Sequence, residues 1–402
     1  MIPYGKHYLD EDDIESVVKV LREGRLTQGP KVAEFEQAVA DYTGATFAVA
    51  VSSGTAGLHL ACIAAGITSG CHVYTTANTF VASANSILYA GGQPNFCDID
   101  PETLNMSTGY LEEKLQSTRK LDGIIPVHFA GLPCDMVKIC EIADSYDAPV
   151  IEDAAHAFGA TYPEGGRVGN CQYSDMTVFS LHPVKGVTSG EGGVITTNNE
   201  KIYRKLLRLR SHGICKGNFD LPGVSVADSD VLYYPDDALY DGKLNPWYYE
   251  MQELGFNYRL TDFQSALVLS QLKKAEPFLA RRKEIAAMYD ELFEGVDSIT
   301  VKQKHDRYNT SLHLYVLEID FEKVGRARGQ VMRDLFEKNI GTQVHYIPVP
   351  FQPYYAKLGF KREDYPVTQS YYNKALSIPI YYGLTDDQVK FVADEIIDIV
   401  LA

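Results

Sequence analysis

Several kinds of chemistry lack the residues they need in this chain of 402 residues. No GxxxxGK[ST] stretch is present to cradle a nucleoside triphosphate, and no GxGxxG follows a strand, which weakens a dinucleotide-dependent dehydrogenase. HExxH is missing, and none of the seven cysteines stands in CxxC spacing, so metal chemistry has no ligand set. No run of about 18 apolar residues is available to span a bilayer. The N-terminal "MIPYGKHYLDEDD" lacks the basic-then-apolar order of a secretion signal. Together with an odd number of scattered cysteines, this predicts reduced thiols and a cytoplasmic protein. Positive charge is short as well: 37 Lys and Arg stand against 53 Asp and Glu, a formal net charge of −16. That balance argues against broad binding to a nucleic-acid backbone, although a small anion needs only a few amides and a cation. No solenoid-period repeat or low-complexity tract is visible.

What is present is a core-forming composition, 45% hydrophobic, ample for two units. In the first half, short apolar runs alternate with helical patterns: "ATFAVAVSS" then "GTAGLHLACIAAG", "HVYTT" then "TFVASANSILYAGG", "GIIPVHFA" then "CDMVKICEIADSYD". "APVIED", "MTVFSL" and "GGVITTN" continue the strands, and "EKIYRKLLRLRSHG" reads as a helix. This rhythm predicts an α/β fold with a mostly parallel sheet between helices. Residues 217–245, rich in Asp, Gly and Pro, break it and read as a long surface excursion. A long helix is expected from about Thr261, bent near Pro277. Strands at "HLYVLEID" and "TQVHYIP" and helices at "RGQVMRDLFEKNI" and "DDQVKFVADEIIDIV" then make a smaller α+β unit. The predicted division is 1–255 and 256–402.

Open α/β sheets bind ligands beyond the strand ends, and the polar residues collect there. In "SSGTAG" the amides of Gly54, Thr55 and Ala56 could face an anion at a helix start, or Ser53 or Thr55 could simply cap that helix. "VIEDAAHAFGA" places Glu152 and Asp153 after a buried run, where a carboxylate needs a cation or several donors; a helix N-cap is the alternative. His156 and Phe80 each read equally well as core residues. Lys185, in "FSLHPVKGVTSGEGG", sits among small residues with no amphipathic pattern to place it on a solvated face. A partly desolvated lysine loses its proton readily and attacks carbonyl carbon. An anion cradle, a buried aspartate, an aromatic and such a lysine together describe a pyridoxal phosphate site. On this reading the small residues let backbone approach the cofactor.

At these residues the sequence resembles the DegT/DnrJ/EryC1/StrS sugar aminotransferase family, of aminotransferase fold type I. The likeness runs through "RLTQGPKVAEFE", "SSGTAGLHLA", "TTANTFVASANSILYAGGQPNFCDID", "VHFAGLPCDM", "IEDAAHAFGA", "FSLHPVKGVTSGEGG", "LRSHG", "LGFNYRLTDFQSAL" and "VHYIPV". Within it, "RLTQG", "SLHPVK", "RSHG" and "VHYIP" are similar to the branch that aminates UDP-4-keto-6-deoxy-N-acetylhexosamines on the route to pseudaminic acid. The resemblance implies that Lys185 carries pyridoxal 5'-phosphate, Asp153 pairs with its ring nitrogen, and Phe80 and His156 flank the ring. Gly54, Thr55, Ala56 and Ser180 would hold its phosphate, with Asn257 reaching across from the other subunit of a homodimer. Tyr4, Leu26, Thr27, Gln28, Gly29, Arg259, Gln343, Val344, His345 and Tyr346 would surround the sugar nucleotide, and L-glutamate would donate the amine. A dTDP-linked keto-sugar, or a non-catalytic regulatory protein on the same fold, are the alternatives. A dehydrating branch of the family has histidine in place of the lysine; this chain has Lys185.

Overall fold

The computed structural model describes residues 1–215, 239–241 and 243–401. Seven strands build the main sheet: β1 (Phe47–Val51), β2 (His72–Thr76), β3 (Gln93–Cys97), β4 (Gly123–Ile125), β5 (Ile151–Asp153), β6 (Met176–Ser180) and β7 (Gly193–Thr197). Two ladders, β3-β2-β4 and β5-β6-β7-β1, are joined by parallel bridges Ile124–Val150 and Val127–Asp153. Neighbours are parallel except at β7, which runs against both β6 and β1. The connection from β6 to β7 carries no helix to cross over the sheet, so the chain returns beside β6 in the opposite sense. Strands β1 and β7 are buried along nearly their whole length, and neither FAVAV nor GVITT shows the alternation of polar and apolar residues that a half-exposed strand carries.

The consequence for function is positional. Because β1, β2, β5 and β6 run the same way, Ser53, Thr79, Asp153 and Ser180 all emerge at one rim. The helix Gly54–Ala64 starts at that rim, and its residues Ala56–Cys62 are buried against the sheet. Gly193 is needed here: a Cβ on it would lie 2.6 Å from the Ser53 carbonyl oxygen. The glycine-rich run therefore lets β7 approach the backbone at 53–54, a contact within the protein rather than with a ligand.

The long helix expected from Thr261 is two helices, Asp262–Leu272 and Ala275–Leu292, parted at Lys273 and Lys274. Pro277 falls in the first turn of the second, where a missing amide breaks no helical hydrogen bond. The break is held instead by Lys274, which pairs with Asp10 and with Asp13 at 2.9 Å. Asp262–Leu272 packs on helices Glu11–Glu23 and Pro30–Thr43. A second core gathers Ile285, Tyr289, Leu317, Val331, Ile378 and Ile396 around the antiparallel strands Ile299–Val301, Tyr315–Ile319 and Ala375–Ile378. "TQVHYIP" forms no strand; it is tied down by a single bridge, Gln343–Ser377, and then turns towards the rim. The aspartate-rich stretch lies outside the described residues over 217–238 and at 242. Among the described residues no helix is long and apolar enough to cross a membrane.

Candidate active site

The strand-end rim opens into a cavity of about 640 Å³. Lys185 lines it, half-buried, on the turn after β6, its amide bonded to the His182 carbonyl at 2.9 Å. Burial lowers the proton affinity of its amine most, Asp153 raises it, and Arg282 lowers it again, leaving a pKa of about 8. Asp153 ends β5 and is buried. Its carboxylate accepts from Ser83 Oγ at 2.6 Å and from the Ala155 amide at 3.1 Å; no helix follows it, so it is not an N-cap. Burial raises its pKa, while these bonds and the Lys185 charge work in the other direction.

Glu152, one residue earlier, faces away from the cavity because side chains alternate along a strand. It is fully buried and takes four donors: His128 Nε2 (2.7 Å), Tyr162 (2.7 Å), Ser174 (2.5 Å) and Thr177 (2.8 Å). Burial pushes its pKa up, but these bonds hold it below the usual carboxylate value. The two neighbouring acids thus divide: Glu152 braces the sheet and Asp153 serves the cavity.

At the start of helix Gly54–Ala64, Ser53 is the cap: its Oγ accepts the Ala56 amide at 3.0 Å and its carbonyl accepts the Gly57 amide at 3.0 Å. Ala56 is therefore engaged within the helix and does not line the cavity. Gly54 and Thr55 do line it, and their amides are the first-turn donors directed there. Ser180 lies against them; a Cβ on Gly54 would come within 3.0 Å of the Ser180 Cβ. Phe80 lines the mouth and is 55% exposed, so it is not a core residue.

Three imidazoles surround the lysine. His156 Nδ1 accepts the Ala130 amide at 3.3 Å, so its proton sits on Nε2, which donates to the Tyr346 hydroxyl at 2.9 Å. That leaves the Tyr346 hydroxyl hydrogen for a group in the cavity. His313 Nε2 lies 3.3 Å from Lys185 Nζ, with its ring centroid 4.4 Å from that of His156. His345 Nδ1 meets Ser377 Oγ at 2.9 Å. Burial holds all three below the ordinary histidine pKa, His345 down to about 3.

Tyr4, Gln343, Val344, His345 and Tyr346 line the cavity, as does every expected cofactor contact except Ala56 and Asn257. Leu26, Thr27, Gln28 and Gly29 do not: the Leu26 carbonyl accepts the Asp262 amide at 3.0 Å, and the Gly29 amide donates to Asp262 at 2.8 Å. Asn257 and Arg259 also lie outside it, on a segment laid against the end of helix Glu200–Arg210. Asn257 is exposed. Ser83 and His313 were not singled out from the sequence: Ser83 is one of several small polar residues in "TFVASANS", and His313 is one polar residue in the apolar "LHLYVL". Among the described residues no group of three or more His, Cys, Asp or Glu is placed to hold a metal ion.

The residues that converge fit pyridoxal phosphate: an amine poised to lose its proton, a buried carboxylate beside it, an open helix start, and an aromatic at the mouth. The family model for the DegT/DnrJ/EryC1/StrS aminotransferase family matches residues 7–397. An uncharacterised protein of Methanocaldococcus jannaschii is 38% identical, covering 99% of this chain and 97% of its own. A UDP-4-amino-4,6-dideoxy-N-acetyl-beta-L-altrosamine transaminase of Campylobacter jejuni is 35% identical, covering 99% of this chain and 97% of its own. Among solved structures, Helicobacter pylori PseC, an aminotransferase involved in pseudoaminic acid biosynthesis, superposes with a TM-score of 0.86 at 26% identity, over 100% of this chain and 99% of that one. The PLP form of the putative sugar aminotransferase Spr1654 of Streptococcus pneumoniae gives 0.85 at 27%, over 100% and 98%. With the motifs, the fold and the cavity in agreement, the chain belongs to the DegT/DnrJ/EryC1/StrS aminotransferase family, on the type I aminotransferase fold, with pyridoxal phosphate as its cofactor.

Proposed function

We propose that this protein transfers an amino group from L-glutamate to C4 of a UDP-linked 4-keto-6-deoxy-N-acetylhexosamine, in a pathway of the pseudaminic-acid type. The observation that carries the reading is the convergence of Lys185 and Asp153 on one cavity that is also lined by Gly54 and Thr55, the first two residues of a helix. The Campylobacter jejuni relative is named as the transaminase of a UDP-linked amino sugar of this class, which favours UDP over a dTDP-linked sugar.

When bound, pyridoxal phosphate supplies the carbonyl that carries nitrogen between donor and acceptor and the electron sink for the bond being broken. The Gly54 and Thr55 amides and the Ser180 hydroxyl bind its phosphate, aided by the helix dipole. Asp153 holds a positive charge at the ring nitrogen, and the Ser83 and Ala155 bonds fix the direction of its carboxylate. Lys185 Nζ, with a pKa of about 8, would take the proton from the amine-bearing carbon of the donor in the first half-reaction and deliver one to C4 of the sugar in the second, since a base near the working pH does both well. Tyr346, oriented by His156, presents its hydroxyl hydrogen to the bound sugar.

Asn257, exposed and outside its own cavity, completes the phosphate site of a second subunit in a homodimer, and Arg259 and Leu26–Gly29 meet the nucleotide in the same way. The division at 255/256 belongs to this reading; the packing of Asp262–Leu272 on the N-terminal helices favours a join slightly later, near Lys273. The seven free thiols suit a cytoplasmic setting. A panel of UDP- and dTDP-4-keto-6-deoxy sugars with glutamate, products identified by mass and NMR, tests the substrate. Amination of UDP sugars at C4 is expected; exclusive use of dTDP sugars, or amination elsewhere on the ring, overturns it.

A further inference from the structure

Helix Ala275–Leu292 carries two adjacent arginines with opposite surroundings. Arg281 is paired conventionally, with Glu284 at 3.0 Å and Asp386 at 2.6 Å. Arg282 is 5% exposed and its Nη1 donates only to backbone carbonyls, those of Leu312 (3.2 Å), His313 (3.3 Å) and Ile380 (3.0 Å). Among the described residues no carboxylate stands within ion-pair distance of it. A buried guanidinium with neutral acceptors alone keeps its full charge in a medium that screens it poorly. Fully buried cations of this kind are expensive, and a fold that needed only a hydrogen-bond donor at this place could use a neutral one.

Its neighbour across a narrow crevice is Lys185. Lys6, His7, Gln271 and Arg282 line that crevice with it, and its volume of about 10 Å³ has room for about one water. We propose that Arg282 is a positioning residue that acts from behind the cavity, its unneutralised charge keeping the Lys185 amine free of a proton whenever that amine is not bonded to the cofactor. This rests on the reading that Lys185 is the reacting amine.

The other groups that face Lys185 do not supply this effect. Asp153, from the end of β5, favours the ammonium form. His156 beyond β5, His313 before strand Tyr315–Ile319 and His345 on the 343–346 segment are buried, neutral imidazoles. His182 and Glu191 belong to the loop that carries the lysine, and Lys6 and His7 come from the N-terminal segment. Arg282 is the cation that is buried and fixed at three points. Through the His313 carbonyl it also steadies the imidazole whose Nε2 lies 3.3 Å from the lysine Nζ.

The test uses cofactor-free protein and no sugar, so it is independent of which substrate is correct. The rate at which an amine-reactive reagent modifies Lys185 is followed against pH by peptide mass spectrometry, in wild type, Arg282→Gln and Arg282→Lys. Glutamine keeps a donor for the carbonyls without the charge, and lysine keeps the charge without the planar fork. The midpoint of Lys185 reactivity should rise by about one pH unit or more in Arg282→Gln and stay near wild type in Arg282→Lys. Coincident midpoints in wild type and Arg282→Gln overturn the proposal, and so does an equal rise in both variants, which would assign the effect to shape. If circular dichroism shows Arg282→Gln unfolded, the neutral and similarly long Arg282→Met takes its place in the same comparison: a raised Lys185 midpoint sustains the proposal, and a midpoint at the wild-type value overturns it. Failure of the sugar panel with this result intact would remove the substrate and leave the lysine's control standing.

Discussion

Asp153 and Glu152 show how one strand can give adjacent carboxylates different work. Glu152 has every lone pair occupied by protein donors, whereas Asp153 keeps a side open to the cavity beside Lys185. Its charge matters most where positive charge builds on the cofactor ring. Asp153→Asn keeps the shape and one acceptor but removes that charge. We expect kcat to fall by about a hundredfold or more, because a few kcal/mol of transition-state stabilisation is lost, with cofactor retention changed far less. Steady-state rates and the bound cofactor measured by absorbance separate the two effects; near-normal turnover would remove Asp153 from this role. Lys185 and Asp153 were legible in the sequence because each stands at the end of an apolar run among residues that make no amphipathic face. Arg282 and Ser83 were not, since their meaning depends on contacts between segments far apart in the chain.

At the scale of elements, the site is a meeting of strand ends with three histidine-bearing segments. Most strands between residues 47 and 197 were readable because strands buried on both faces leave apolar runs, whereas strand Gln93–Cys97 (QPNFC) and helices Glu11–Glu23, Pro30–Thr43 and Thr108–Thr118 were not read from the sequence. The break between Leu272 and Ala275 was not, as Pro277 drew attention to a position that tolerates proline while the Lys274 ion pairs fix the real boundary. "TQVHYIP" reads as a strand by its alternation, yet those residues are held by the cavity and not by a ladder. The buried imidazoles of His156, His313 and His345 give a consequence for stability. Each has a folded-state pKa below its unfolded value of about 6.5, so the unfolded chain takes up protons that the folded chain refuses. Their contribution is complete above that value and is lost as pH falls below it, towards about 3 in the case of His345. Urea unfolding between pH 6.5 and 5 should therefore depend less steeply on pH in His313→Asn than in wild type, by up to about 1.4 kcal/mol per pH unit. Identical slopes would mean that His313 titrates in the folded protein as it does in the unfolded chain, contrary to this account.

For the whole molecule, the question is how many chains make one site. Asn257 and Arg259 lie beside the end of helix Glu200–Arg210, away from the cavity of their own chain, and a two-fold partner would bring them to it. Mixing inactive Lys185→Ala chains with inactive Asn257→Asp chains tests this, because both lesions fall in one half of a heterodimer and leave the other half whole. Activity should reappear after subunit exchange; folded heterodimers that stay inactive would show that Asn257 is not shared. The central claim, that this fold carries an amino-transferring cofactor on Lys185, has a more direct test. Borohydride reduction of the coloured holoprotein followed by peptide mapping should place the cofactor's mass on the peptide containing Lys185, and Lys185→Ala should take up no label while remaining folded. Label on any other lysine, or undiminished label in Lys185→Ala, would contradict the account.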